Sequence, residues 1–191
     1  GMLCLKAPLP PGSLQTIWGD DNRFIDTYFF KNNTSYFYKT FDFAEIDNEG
    51  YYYMLGRTDD VINVAGHRIG TRELEEALQL HERVAETAVI GIQDKIKGQV
   101  PLAFIVKKEI ADFSENDDDT LREELDALIT EELGRFAKPK QMHFVPNLPK
   151  TRSGKLLRRA LQAICEGRDP GDLTTIEDNN VLEPIRKIFN S

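Results

Sequence analysis

Between Asp60 and Glu166 the apolar residues keep switching spacing, and few architectures satisfy the pattern. Short β-type runs occur at Val61–Val64, Val84–Ile92, Pro101–Val106 and Met142–Val145, and stretches of helical period separate them. One helix begins near Thr71: Glu73, Glu75 and Glu76 suit its N-terminal dipole, and Leu74, Ala77 and Leu78 share a face. A second carries Leu121, Leu125, Leu128, Ile129 and Leu133 behind the capping-box pattern Thr120-Leu121-Arg122-Glu123, and Gly134 ends it. A third places Leu156, Leu157, Ala160, Leu161 and Ile164 on one side, with Ser153 as N-cap and Gly167 as stop. Strands interleaved with helices predict an α/β (α+β) unit: a compact mixed sheet flanked by helices.

The first fifty residues read differently. Leu3, Leu5 and Ala7 alternate with other residues before Pro8, Pro10, Pro11 and Gly12 interrupt the chain. Phe24, Tyr28, Phe29 and Phe30, then Tyr36, Phe37, Tyr38, Phe41 and Phe43, supply many rings but no clear long helix. Asp47-Asn48-Glu49-Gly50 is a tight turn between strands Tyr36–Ile46 and Tyr51–Leu55. Strands this short do not bury so many rings among themselves, so this region reads as the β-rich strip of a larger, incomplete body. A polar break at Arg57-Thr58-Asp59-Asp60 sets the boundary. The expected division is residues 1–58, a compact domain over 59–167, and a tail with a weak helix over 168–191.

The net charge of −8 argues against general nucleic-acid binding. The distribution is more informative. From Glu109 to Glu132 the charges are negative apart from Arg122, a solvated face. From Arg135 to Arg159 every charge is positive: Arg135, Lys138, Lys140, Lys150, Arg152, Lys155, Arg158 and Arg159. A flexible Thr151-Arg152-Ser153-Gly154 loop leading Lys155 into a helix predicts a site for phosphate or carboxylate. An ordinary loop–helix junction with solvated cations is the local alternative. Cys4 and Cys165 form neither a metal motif nor a disulfide framework, and suit a reducing compartment. His81 and His143 lack a third ligand at metal spacing, so no metal site is expected. No apolar run approaches a membrane span, and the start shows no signal-peptide pattern.

Three motifs, in order, carry a resemblance. They are YYYMLGRTDDVINVAGHRI over Tyr51–Ile69, KGQVP over Lys97–Pro101 and PKTRSGK over Pro149–Lys155. Together they resemble the C-terminal region of short-chain acyl-CoA synthetases, of the acetyl-/propionyl-CoA synthetase type, in the adenylate-forming (AMP-binding) superfamily. The tail Thr175-Ile176-Glu177-Asp178 and Ala65 lean towards the propionate branch. The resemblance implies an AMP-forming acid–thiol ligase: a carboxylate and Mg-ATP give an acyl-adenylate, and coenzyme A then displaces AMP. It implies a small C-terminal domain that alternates between two positions. Lys155 is the implied catalytic lysine of adenylation and the implied site of regulatory acetylation by a lysine acetyltransferase, reversed by a deacetylase. Asp59 is the implied hinge and Gly66 the residue against the coenzyme A arm. Asp42, Arg57 and Arg68 are the implied nucleotide contacts.

Two departures stand out. Phe41 occupies the place of the glycine that usually precedes the Asp42 position, and Thr130 the place of a basic residue that helps hold the coenzyme A 3′-phosphate. The ATP loop, the adenine pocket, the acyl pocket and most of the Mg2+ and ATP/AMP site belong to the absent larger domain, so the chain alone is expected to be inactive in acyl activation. The resemblance also implies a cytoplasmic setting, or the mitochondrial matrix in a eukaryote. Another adenylate-forming enzyme, or a free-standing nucleotide- or CoA-binding module, stays open at this point, as do the carboxylate and the oligomeric state.

Overall fold

The computed structural model describes residues 1–108 and 118–189. The chain forms two compact units, Gly1–Asp59 and Asp60–Ser191.

The first unit contains β1 (Met2–Lys6), α1 (Asp21–Tyr28), β2 (Phe29–Asn32), β3 (Ser35–Ile46) and β4 (Tyr52–Arg57). The long β3 pairs antiparallel with each of the other strands. Asp47 makes the turn before β4, its Oδ1 accepting the amides of Glu49 and Tyr51 at 2.9 Å each. Helix α1 carried no clear signal in the sequence; Asp20 caps it by accepting the Arg23 amide at 3.0 Å. Its Phe24 and Tyr28 rings meet Phe29 and Tyr38, with centroids 5.4 to 5.7 Å apart. Even so, Phe24 and Ala44 are the only buried hydrophobic residues described in this unit, and Tyr51, Tyr52, Tyr53 and Met54 stay at least 50% exposed. The aromatic supply exceeds what the small sheet can cover.

The second unit is built on a mixed sheet of β5 (Val61–Val64), β6 (His67–Gly70), β7 (Val84–Asp94), β8 (Gly98–Lys107) and β9 (Gln141–Phe144). The order is β6-β5-β8-β7, and β9 joins β8 in parallel while the other pairs are antiparallel. Helices α2 (Thr71–Gln79), α3 (Asp118–Glu132), α4 (Arg158–Cys165) and α5 (Leu182–Phe189) complete it. The period of two in β7 and β8 separates the core into two layers. Val89, Ala103 and Ile105 face Leu74 and Leu78 of α2 and Leu121, Leu125 and Ile129 of α3. Ala88, Ile90, Leu102 and Phe104 face Leu161 and Ile164 of α4 and Leu182 and Ile185 of α5. Covering both faces is what allows the middles of these strands, residues 88–90 and 100–105, to be apolar and buried.

Three local expectations change. Helix α3 is already under way at Asp118, so Thr120 is a helical residue and not the N-cap. The acidic stretch 109–117 lies outside the described residues. Helix α4 begins at Arg158 with Leu157 at the cap position, so Ser153 caps nothing there and Lys155 precedes the helix. Gly167 does end it, at φ +67, with the Arg168 amide reaching back to the Ala163 carbonyl at 2.7 Å. Residues 168–189, set apart in the sequence as a tail, place Ile176, Leu182 and Ile185 in the core beside Leu161.

Leu161 is fully buried between α4, the sheet and α5. Leu161→Ala is expected to destabilise the unit by about 2–5 kcal/mol, against about 0.5 kcal/mol or less for Leu80→Ala at the exposed end of α2, measured by urea unfolding. His143 on β9 lies tilted against Phe104 and edge-on to Phe189, its Nε2 buried with no hydrogen-bond partner among the described residues. Burial, and then the Arg122 charge, lower its pKa. The folded state therefore binds fewer protons than the unfolded chain between that lowered value and about 6.5, and stability falls as pH is lowered through this window. His143→Gln is expected to flatten that part of the stability–pH curve.

Candidate functional site

The Lys155 segment is a pinned turn, not a flexible loop. The Thr151 amide donates to the Lys155 carbonyl and the Gly154 amide to the Thr151 carbonyl, both at 2.8 Å. Thr151 Oγ1 accepts the Lys155 amide at 3.1 Å and lies 3.0 Å from Ser153 Oγ. Gly154 has φ +80, which the turn needs and a side chain would resist. Lys150 and Leu156 bridge across the turn, and the Leu157 amide reaches the Pro149 carbonyl at 2.9 Å. These pairings keep 156–157 out of helical geometry and delay α4 to Arg158. Residues 174–177 brace the outside: the Arg152 amide donates to the Thr175 carbonyl at 3.1 Å and the Glu177 amide to the Lys150 carbonyl at 2.9 Å.

Much of the basic block is committed internally. Lys150 pairs with Glu86 at 2.7 Å, Arg158 with Glu75 at 2.5 Å, Lys138 with Asp126 at 2.7 Å and Lys140 with Asp94 at 2.9 Å. Lys155 is exposed, and its ammonium has no partner among the described residues. The expected anion site therefore contracts towards Lys155 and the exposed Arg152 of the same braced turn.

Gly66 lies in the two-residue hairpin between β5 and β6. Ala65 at φ +50 and Gly66 at φ +92 give both central residues the positive φ of a type I′ turn. Asn63 Oδ1 accepts the Gly66 amide at 3.1 Å, while the Ala65 amide donates to the Lys97 carbonyl at 2.9 Å. The Asn63 amide donates to Gln99 Oε1 at 2.9 Å. The Lys97–Pro101 motif thus supports the Gly66 hairpin, a contact the sequence did not indicate. Asp94 secures that support: the amides of Lys97 and Ile96 and the Lys140 ammonium hold its carboxyl well below the usual range. Arg68 is exposed on β6, opposite Asn63. Gly70 keeps an ordinary extended φ of −69, so no turn requires a glycine there.

The remaining candidates meet at the end of the first unit. Asp42 pairs in register with Arg57 across β3 and β4. Arg57 Nε donates to Asp59 Oδ1 at 2.9 Å, and its Nη1 lies 3.6 Å from Asp42 Oδ1. Phe41 sits at φ +62, a glycine-like backbone angle held by a phenylalanine, and the Thr58 amide reaches its carbonyl at 2.7 Å. A carboxylate oriented by an arginine can accept hydrogen bonds from a diol. The structure thus groups Asp42, Arg57 and Asp59 in one unit; Gly66 and Arg68 share a hairpin of the other, and Lys155 occupies its own turn there. Among the described residues no group of His, Cys, Asp and Glu is arranged to hold a metal ion, and no helix is long and apolar enough to cross a membrane.

Sequence reasoning passed over Glu75, assigning it to the helix dipole. It is buried in α2, where Oε1 accepts the Val89 amide at 2.8 Å and Oε2 meets Arg158. Burial raises its pKa despite both partners. The signal was present: Thr71, Leu74, Glu75 and Leu78 follow the spacing of one helical face.

Residues 73–155 match the family model described as AMP-binding enzyme C-terminal domain. A propionate–CoA ligase of Salmonella typhimurium is 54% identical over 190 residues, covering 98% of this chain and 30% of the ligase. An acetyl-coenzyme A synthetase of Pyrobaculum arsenaticum is 46% identical over 189 residues, covering 99% of this chain and 27% of the synthetase. Among solved structures, the ATP-bound RpMatB-BxBclM chimera B1 superposes with a TM-score of 0.66 at 28% identity, over 78% of this chain and 28% of that chain. The mixed sheet with helices on both faces and the family match over residues 73–155 together define the C-terminal domain of an AMP-binding enzyme. This chain belongs to that family, and the relatives just described place it beside the short-chain acid–CoA ligases. It spans 30% of the length of the propionate–CoA ligase it matches.

A Cβ built on Gly66 meets no atom within 4 Å, so only backbone strain at φ +92 opposes a side chain in the isolated domain. Gly66→Ala is expected to destabilise the unit by about 1–2 kcal/mol, and Gly66→Asn by less, in urea unfolding.

Proposed function

We propose that the chain is the C-terminal part of an AMP-forming ligase that joins a short carboxylate, acetate or propionate, to coenzyme A. The observation that carries this reading is the braced Lys155 turn, with an exposed ammonium that has no partner among the described residues. In the first step a carboxylate oxygen attacks the α-phosphorus of Mg-ATP, and the bond to the β-phosphate oxygen breaks to release pyrophosphate. Negative charge gathers between the carboxylate and the α-phosphate, where a fixed ammonium both orients and stabilises. In the second step the coenzyme A sulfur attacks the acyl carbon, its thiol proton is lost, and the bond to AMP breaks.

Lys155 serves the first step only. Because its turn is hydrogen-bonded to residues 174–177, it cannot withdraw alone, and the second unit has to carry it as a body. The boundary between the compact units at Asp59 supports a hinge there. The Gly66 hairpin then offers backbone, without a side chain, to the coenzyme A arm, and Arg68 on the same hairpin serves as a nucleotide contact. Asp42, oriented by Arg57, holds the ribose hydroxyls. Acetylation of Lys155 by an acetyltransferase replaces the ammonium with a neutral amide and stops adenylation until a deacetylase removes it. Mg2+ enters with ATP.

The test uses the full-length protein and its Lys155→Ala variant, with acetate and propionate. Carboxylate-dependent ATP–pyrophosphate exchange is expected to fall by about 100-fold or more, while thioester formation from pre-made acyl-adenylate stays within a few-fold. Equal loss of both half-reactions would refute the role.

A further inference from the structure

Arg158 opens α4 immediately after the short 156–157 stretch that follows Lys155, and its guanidinium points away from the turn. Nη2 donates to Glu75 Oε2 at 2.5 Å, and Nη1 lies 3.9 Å from Asp60 Oδ2. The other oxygen of Glu75 accepts the Val89 amide of β7 at 2.8 Å. Asp60, the first residue of the second unit, is tied to α2 through its carbonyl, which accepts the Thr71 amide at 3.1 Å. A second ion pair anchors the upstream end of the lysine turn, since Lys150 meets Glu86, also on β7, at 2.7 Å. The upstream end of the turn is therefore fastened to β7 directly and the downstream end to β7 through Glu75 of α2, and the downstream fastening reaches Asp60, where the chain enters the unit.

Adhesion alone is a poor reason for such an arrangement. The side chains of Glu75 and Arg158 are 11% and 28% exposed, and an ion pair held that far from water gains little over apolar residues of the same volume. What a charge-assisted pair supplies is direction, because a carboxylate already held by a strand amide accepts the guanidinium in a narrow range of geometries. Arg158 Nε is buried with no hydrogen-bond partner among the described residues, and the contacts of Nη1 and Nη2 set this orientation.

We infer that Glu75 and Arg158, braced by Asp60, are positioning residues for Lys155: they fix how the lysine turn projects from the unit. This inference rests on the adenylation role proposed for Lys155.

The experiment compares the full-length protein with Glu75→Gln and with the double variant Glu75→Gln/Arg158→Met. The first retains an acceptor for Val89, and the second removes the pair without stranding a buried charge. Both half-reactions, the melting temperature and amide exchange across residues 150–157 are measured. In the double variant, ATP–pyrophosphate exchange is expected to fall about 10- to 100-fold. Thioester formation from acyl-adenylate should stay within about threefold. The melting temperature should shift by only a few degrees, and the amides of Gly154, Lys155 and Leu157 should exchange faster. Unchanged adenylation, or both half-reactions falling together, overturns the inference. Should the double variant not fold, Glu75→Gln is judged by the same readouts. A wild-type protein without carboxylate-dependent exchange defeats the functional reading; amide exchange then decides the positioning role, and unaltered protection at Lys155 overturns it.

Discussion

The long antiparallel pairing of β7 with β8, from Val84 opposite Lys107 to Asp94 opposite Gly98, is the constraint on which the second unit depends. Both strands are apolar on both faces, so a single helical layer would leave half of their side chains in water. Helices α2 and α3 cover Val89, Ala103 and Ile105. The other face, with Ala88, Ile90, Leu102 and Phe104, is closed by α4 and α5. That requirement gives the last segment its structural role: without Ile176, Leu182 and Ile185, the layer over Phe104 would be incomplete.

The same segment braces the lysine turn. The core contacts of Ile176 place the neighbouring backbone of Thr175 and Glu177 against Arg152 and Lys150. Packing on one face of the sheet thereby becomes precision at a surface turn. Electrostatics follows a similar economy: Lys150, Lys138, Lys140 and Arg158 are engaged by carboxylates of this domain, and Lys155 keeps an exposed ammonium without a partner among the described residues. On the proposed mechanism, a lysine held rigidly on its own compact unit suits a group required in one step of the reaction and excluded from the next.

The first unit shows the opposite balance. Its rings gather around Phe24 and Tyr28, yet the row from Tyr51 to Met54 remains exposed. A four-stranded sheet with one short helix has too little surface to cover them. The Asp42–Arg57–Asp59 grouping at its end nevertheless forms locally, because cross-strand register and a two-residue separation are enough to bring these charges together.

The sequence by itself determined the order of strands and helices from Val61 to Cys165, apart from β6, and the turn at Asp47–Gly50. It also marked Lys155, Asp59 and Gly66 as candidates, because spacing, turn residues and motifs are local and survive in a string. Helix ends were less legible. Thr120 and Ser153 have the right chemistry for caps, but helix α3 is already under way at Asp118, and the pairing of Lys150 with Leu156 delays α4 beyond Ser153. Only the tertiary structure decided which charges turn inward. Glu75 and Arg158 lie far apart in the chain, and a glutamate on an amphipathic helix looks the same whether it faces water or a partly buried guanidinium. Burial is a property of what packs over a residue, and that covering comes from distant segments whose approach no local pattern encodes.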